Sequence, residues 1–430
     1  MIILKLAIIA QTFFVFYPLY YGWEGGVIRS GISTIFISII LFICIARGAV
    51  KGQLTIPRVK IIPFLGFLAF ILVSGSAVGF LHGYPTKAIL SDLFPILEFI
   101  AYFLVGLMLI KTADQAKHLV RLLIAIIGFV AWIEVIIYLV HPQFYFHQTL
   151  ISGLVIKRVV DFTTPIGLLL LLSTMTSGHK TFISYTLGVG MLMAILLSFL
   201  KSIWIALPLT LLMVTLLHRQ RRQFIKKTAV LLGFLAVGLL LAAPVFSLFV
   251  QHPAPFDLSH MPSLMSGLLG QLFDSTIESY ERWQYVGFVR DQIEESPISL
   301  IIGKGLGAGW WTSIGETRLA AEQPAQRWRT DVPSYPLFVA WKLGLTGVLI
   351  FGIIFVLLTR SSFYMLNALR DQFFSGFSAG MLGVYTYVFL VSAIAFTPFI
   401  HFPLPFYLGT TSAILCMLPR FYRSEQNGAG

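Results

Sequence analysis

Charge is scarce in this chain, and acid is scarcest: only 11% of the 430 residues are charged, with 18 Asp and Glu against 30 Lys and Arg. A soluble globular domain carries about 25%. Cysteine is almost absent. The two present, Cys44 and Cys416, both lie inside apolar runs, which excludes a disulfide framework and a CxxC metal site. Metal-ligand spacing of His, Cys, Asp and Glu is missing elsewhere too. What fills the chain instead is apolar: 57% hydrophobic residues and a mean hydropathy of +0.87, too much for a large soluble core. An all-α polytopic membrane protein is expected. The net charge of +12 could suggest nucleic acid as a partner, but the bases occur in short clusters between apolar runs, where membrane topology accounts for them.

Apolar runs of spanning length fall at about 2–21, 27–46, 61–81, 92–110, 119–140, 162–177, 182–200, 202–217, 228–250, 336–358, 377–397 and 403–419, or about twelve helices at ~20 residues each. The first lacks a small-residue cleavage site and is long enough to span, so it reads as a helix and not as a cleavable leader. Arg47, Lys51, Arg58 and Lys60 follow the second run; Lys111, Lys117 and Arg121 the fourth; Arg219, Arg221, Arg222, Lys226 and Lys227 the eighth; Arg360 and Arg370 the tenth; Arg420 and Arg423 the last. All share one side if both termini are cytoplasmic, as the positive-inside rule requires. Lys157, Arg158 and Lys201 lie near span ends on the opposite side. Each singly could snorkel to the interface, but together they point to an anion site. Glu98 and Glu134 sit inside apolar runs and read as structural pairing partners facing protein or water.

One polar interruption, Gln251 to Tyr335, divides the chain into spans 1–250, an external segment 251–335 and spans 336–430. It opens with His252, Pro253, Pro255 and Pro262, unsuited to regular helix. Between Thr276 and Glu295 apolar and charged residues alternate at three- and four-residue spacing, predicting an amphipathic helix ended by Pro297. Gly303-Lys304-Gly305-Leu306-Gly307-Ala308-Gly309 lacks the preceding strand and the Gly-Lys-Ser/Thr ending of a nucleotide site. It predicts a tight turn into Trp310-Trp311, with backbone amides able to contribute to anion binding.

Pro333-Ser334, nine residues, Gly344, two residues, Gly347 resembles the His-[Asn/Ser/Gln]-x9-Gly-x2-[Gly/Thr/Tyr] signature of the O-antigen ligase and polysaccharide polymerase superfamily. Ser334, Gly344 and Gly347 fit; Pro333 stands in the histidine position. Glu281-Arg282-Trp283 through Glu295-Ser296-Pro297 and on to Gly303-Lys304-Gly305-Leu306-Gly307 resembles the family's order of Arg, aromatic, helix, Pro and Gly-x-Gly-x-Gly. Arg158 to Pro165 is similar to its arginine-containing approach to a middle span. Ser198-Phe199-Leu200-Lys201-Ser202 sits where members carry Ser-Arg, here with Lys. The resemblance covers roughly 150–360. It implies a GT-C-like membrane glycosyltransferase of the bacterial cytoplasmic membrane that uses an undecaprenyl-diphosphate-linked glycan as donor and a second glycan as acceptor, without metal or other cofactor, in company with other polysaccharide-assembly proteins. The missing histidine, thought to be the base in the ligase branch, favours polymerisation or another transfer over ligation.

Breaking a glycosyl-diphosphate bond requires stabilisation of the leaving diphosphate and deprotonation of the acceptor hydroxyl. Arg158, Lys201 and Arg282 are the expected diphosphate ligands, with Arg327 and Arg329 next, because guanidinium binds phosphate oxygens bidentately. Each loop arginine could equally be a solvated face. For the base the chain offers Asp331, two residues before Pro333, then Glu281 and Asp161. His252, His260 and His401 also fall outside and read as hydrogen-bonded interface residues. Gly22 to Arg29, the predicted first external loop, holds no Asp-x-Asp pair and is too short for the metal-binding loop of oligosaccharyltransferase-like enzymes. A lipid-linked oligosaccharide flippase or other secondary transporter would also have about twelve spans and buried charge. Visible internal repeats are absent, and the cations cluster at one face instead of midplane.

Overall fold

The structure is a computed structural model that describes residues 4–5, 18–50, 59–140, 151–175, 182–198, 201–218, 220–230, 233, 286–313, 326–329, 334–394 and 404–428. Long runs of Leu, Ile, Phe and Val whose backbone cannot reach water must satisfy their amides internally, which selects helix. The helices are α1 (Pro18–Val50), α2 (Ile62–Leu81), α3 (Thr86–Leu109), α4 (Ala113–Val140), α5 (Ile151–Met175), α6 (Phe182–Ser198) and α7 (Lys201–Leu217). After the long segment come α8 (Pro297–Ile302), a hairpin of β1 (Trp310–Ser313) and β2 (Gln326–Arg329), then α9 (Tyr335–Ala368), α10 (Gln372–Ile394) and α11 (Leu404–Gly428). Backbone at 221–230 and 286–294 is helical as well.

Among the described residues five helices are long and apolar enough to cross a membrane: Ile62–Leu81, Thr86–Leu109, Ala113–Ile136, Tyr335–Ala368 and Gln372–Ala393. Shorter apolar helices run over Gly31–Arg47, Thr163–Met175, Phe182–Ile195 and Ile205–Leu217. The protein is therefore a predominantly helical, membrane-embedded bundle. Three departures from the sequence reading bear on predicted loops and site residues. Gly22 to Arg29 is not a loop but lies within α1, no proline breaking that stretch. α5 begins at Ile151 and not near 162, so Lys157, Arg158 and Asp161 are positions within the helix. Pro297 does not simply end a helix; it occupies the first turn of α8, where its missing N–H costs nothing. Most of the predicted spans 228–250 and 2–21 lies outside the described residues.

α3 is flanked by α1 and α11; α10 packs on α5, α7 and α9, while α4 and α6 close the far side of α5. Small residues let these backbones approach. Gly376 and Gly380 of α10 abut Ser173 of α5, Gly409 of α11 lies against the Phe99 carbonyl, and Gly106 of α3 meets Ala413.

These contacts define two ends. At one, Lys117 at the start of α4 pairs with Asp371 before α10 at 2.6 Å, and Asp371 caps that helix by accepting from the Phe373 amide at 2.8 Å. There too the Lys227 ammonium donates to the Met175 carbonyl at the end of α5, a cation on the negative end of a helix. The other end gathers the close of α2, the starts of α3 and α9, and the 286–309 segment between them.

Candidate functional site

At this second end the glycine-rich turn is built into the bundle. α9 does not run unbroken: Gly344 has φ 66 and ψ −170, which removes the amides that would bond the carbonyls of Trp341 and Lys342 from one turn on. The turn supplies replacements. The Lys304 amide donates to Trp341 O at 2.8 Å, Gly305 N–H to Lys342 O at 3.0 Å and Leu306 N–H to Gly75 O of α2 at 2.9 Å. Gly307 N–H donates to Asp92 Oδ2 of α3 at 2.7 Å. Gly303 N–H closes α8 on Ser299 O at 2.9 Å. The amides of Gly303 to Gly307 are thus committed to the protein's own acceptors, not to an anion. Glycine is required because the approach is backbone on backbone: a Cβ at Gly344 would strike the Ile301 carbonyl, and one at Gly305 would come within 2.6 Å of Gly79 N.

Beneath the turn lies a buried ion pair. Lys342 Nζ donates to Asp92 Oδ2 at 2.6 Å, the two side chains being 0% and 1% exposed. Trp341 and Phe338 present ring faces to the same ammonium at 5.1 and 4.9 Å. Asp92 thus holds a span from α9 and the loop's amide on one oxygen. The sequence reading missed both residues. Lys342 stands alone inside the predicted span 336–358, and the rule that singled out Glu98 and Glu134 applies to it equally. Glu98 accepts from Ser33 Oγ of α1, a partner inside the protein. Above the pair, on the outer margin, Lys304 bonds Glu295 and holds that carboxyl below its usual range, first by hydrogen bond and then by charge.

The expected donor ligands fall as follows. Arg158 lies in α5, Lys201 is the first residue of α7, and Arg327 and Arg329 lie on β2, where Arg327 faces Thr312 and Arg329 faces Trp310 in the antiparallel register. His218, just past α7, reaches the Ser173 carbonyl of α5 at 3.4 Å, so the two helices run in the same direction. Counting back at 1.5 Å per residue puts Arg158 and Lys201 at nearly one level, within roughly 3 Å along the axes, toward the end that holds the loop. Arg282, Glu281, Asp331 and Pro333 lie outside the described residues, as do His252, His260 and His401. Ser334 is the N-cap position of α9 and accepts from Phe338 N–H through its backbone carbonyl at 2.9 Å, with no side-chain cap. Gly347 packs on Leu343. Among the described residues no cluster of His, Cys, Asp or Glu could hold a metal ion.

No family model matches the chain, and no curated protein matches it at a significant level.

Proposed function

We propose that the chain is a GT-C-like membrane glycosyltransferase of about twelve spans, with both termini cytoplasmic, in the bacterial cytoplasmic membrane. It polymerises or transfers an undecaprenyl-diphosphate-linked glycan onto a glycan acceptor at the outer face. The observation that carries this reading is positional: Gly344, the first glycine of the polymerase-like signature, is the point at which the long polar segment is fastened into the bundle. That fastening fixes residues 286–309 at the end toward which the first turns of α5 and α7 also point, and Glu281, Arg282, Arg327, Arg329 and Asp331 belong by sequence to the same polar segment. Arg158, Lys201 and Arg282 bind the diphosphate and offset the charge that develops as the glycosyl bond breaks. Asp331 takes the acceptor proton as the general base.

The test uses the purified protein in proteoliposomes with an undecaprenyl-diphosphate-linked oligosaccharide, read as a ladder of lengthened glycans. Asp331→Asn lowers turnover about 10²- to 10⁴-fold, the usual worth of a general base, with donor binding unchanged. Full activity in Asp331→Asn across pH 5 to 8, roughly the range of a raised carboxylate, transfers the role to Glu281 or to the substrate. A carrier is the second reading, favoured by the Asp92–Lys342 pair, since buried ionisable pairs also mark transport pathways. It predicts movement of labelled lipid-linked glycan between leaflets with no lengthening.

A further inference from the structure

Two consecutive helices in the long segment have opposite polarity. In 286–294 the pattern is that of a water-facing helix: Val289 and Ile293 are buried, while Arg290, Asp291 and Glu294 are exposed. In α8, two residues further on, it inverts. Its one buried residue is Ser299, whose backbone N–H donates to the helix-capping Ser296 Oγ, whereas Ile298, Ile301 and Ile302 are 68%, 57% and 45% exposed. Those three stand at i, i+3 and i+4, a single ridge. A helix that turns serine inward and isoleucine outward has the wrong sense for water and the right one for hydrocarbon.

The ridge does not stand alone. α8 packs along α9 at the Gly344 break, and the outward residues of α9 just past that break, Leu345 and Leu349, are 53% and 63% exposed within a span. The ridge therefore continues a face that a membrane-embedded helix already turns to lipid. Depth agrees. The turn after α8 bonds Gly75 of α2 and packs on Gly79, both in the last two turns of that helix and within roughly 9 Å of its end. Irregular backbone at such a depth is tolerated only when protein satisfies it, and the amides of Gly303, Lys304, Gly305, Leu306 and Gly307 are all bonded to protein acceptors. The waterline is marked as well. Lys304 extends back to Glu295, the exposed residue before Ser296, and His82 stacks on Tyr84 where α2 ends, amphipathic side chains of the kind that collect at an interface.

The geometry points to a re-entrant wedge: Ser296 to Gly309 dips into the outer-end leaflet and returns, with the Ile298, Ile301 and Ile302 ridge bedded in the acyl chains of the bilayer. The partner is lipid, and the long segment is anchored in the membrane instead of riding above it. This holds whatever reaction the protein performs.

Single cysteines test it in a Cys44→Ala, Cys416→Ala background, spin-labelled in phosphatidylethanolamine and phosphatidylglycerol vesicles. Collision with oxygen reports hydrocarbon, and collision with a polar nickel chelate reports water. Ile298→Cys and Ile301→Cys are expected to match Leu349→Cys, open to oxygen and closed to the chelate, while Asp291→Cys shows the reverse. Chelate access at the ridge equal to that at Asp291→Cys overturns the wedge. So does shielding from both reagents, which would mean that protein covers the ridge.

Discussion

A charge pair sealed in an apolar bundle contributes little if formed and costs much if broken. Asp92 and Lys342 illustrate the asymmetry: removing one partner leaves the other charge buried, a loss of about 3 to 5 kcal/mol, whereas replacing both by apolar side chains is often close to neutral. Asp92→Leu or Lys342→Met alone should markedly lower the thermal unfolding midpoint in detergent, and the double variant should recover most of the loss. Recovery should stay incomplete, because the Gly307 amide also loses its acceptor. His218 makes a second residue-scale prediction. Its Nδ1 accepts from the Gln220 amide at 3.0 Å, which only a neutral ring can do. Burial first, and then the charge of Lys227, push its pKa below the ordinary 6.5, against the pull of the Ser173 carbonyl. A depressed pKa means that the unfolded chain takes the proton more readily. The contribution to stability is complete above 6.5 and is lost as pH falls through the lower folded value. Unfolding midpoints should drop between about pH 7.5 and about pH 5.5, and His218→Gln should reduce that drop. An equal drop in the variant would remove His218 as its source.

At the scale of elements, Gly344 decides whether α9 is one helix or two pieces with the loop between them. Its backbone, φ 66 and ψ −170, lies in a region essentially confined to glycine and costs a residue with a side chain on the order of 1 to 3 kcal/mol, and a methyl group there collides with the Ile301 carbonyl and comes within 2.6 Å of the Gly303 amide. Gly352, two turns on in the same helix, has open space around its Cβ position. Gly344→Ala should therefore unseat α8 and the turn, seen as faster proteolysis of the long segment, while Gly352→Ala leaves it protected. Sequence periodicity and span length find the spans around 61–81, 182–200 and 202–217 to within a few residues, because a bilayer imposes both length and composition. They do not find the break in α9 or the β1–β2 hairpin. Gly344 stands out in the sequence as a motif position, but nothing local says that the carbonyls it frees are bonded by amides some forty residues earlier in the chain. For the same reason Gly303 to Gly309 looked available to an anion: its acceptors come from α2, α3 and α9, and their convergence is a tertiary fact.

For the molecule as a whole, sidedness is what charge patterning makes legible. Basic clusters after alternate spans predict one basic side, and the helix packing is consistent with it. Lys117 meets Asp371, Lys227 meets the end of α5, and α5 and α7 run in the same direction, while the 286–309 segment seats at the far end. What charge counting cannot supply is whether distant cations such as Arg158, Lys201 and Arg282 meet, which depends on which helix faces which neighbour. For the proposed polymerisation the orientation of the ends is nevertheless decisive, since a glycan lengthened outside the cell must meet its enzyme outside. Placing the basic end in the cytoplasm requires that a membrane-impermeant thiol reagent added to whole spheroplasts label Ser275→Cys in the long segment and leave Gln220→Cys, beside His218, unmodified until the membrane is opened. Both are polar positions away from the apolar spans, so labelling follows access and not burial in lipid. The reverse pattern would put Arg282, Asp331 and the re-entrant wedge in the cytoplasm, and polymerisation at the outer face would be abandoned with it.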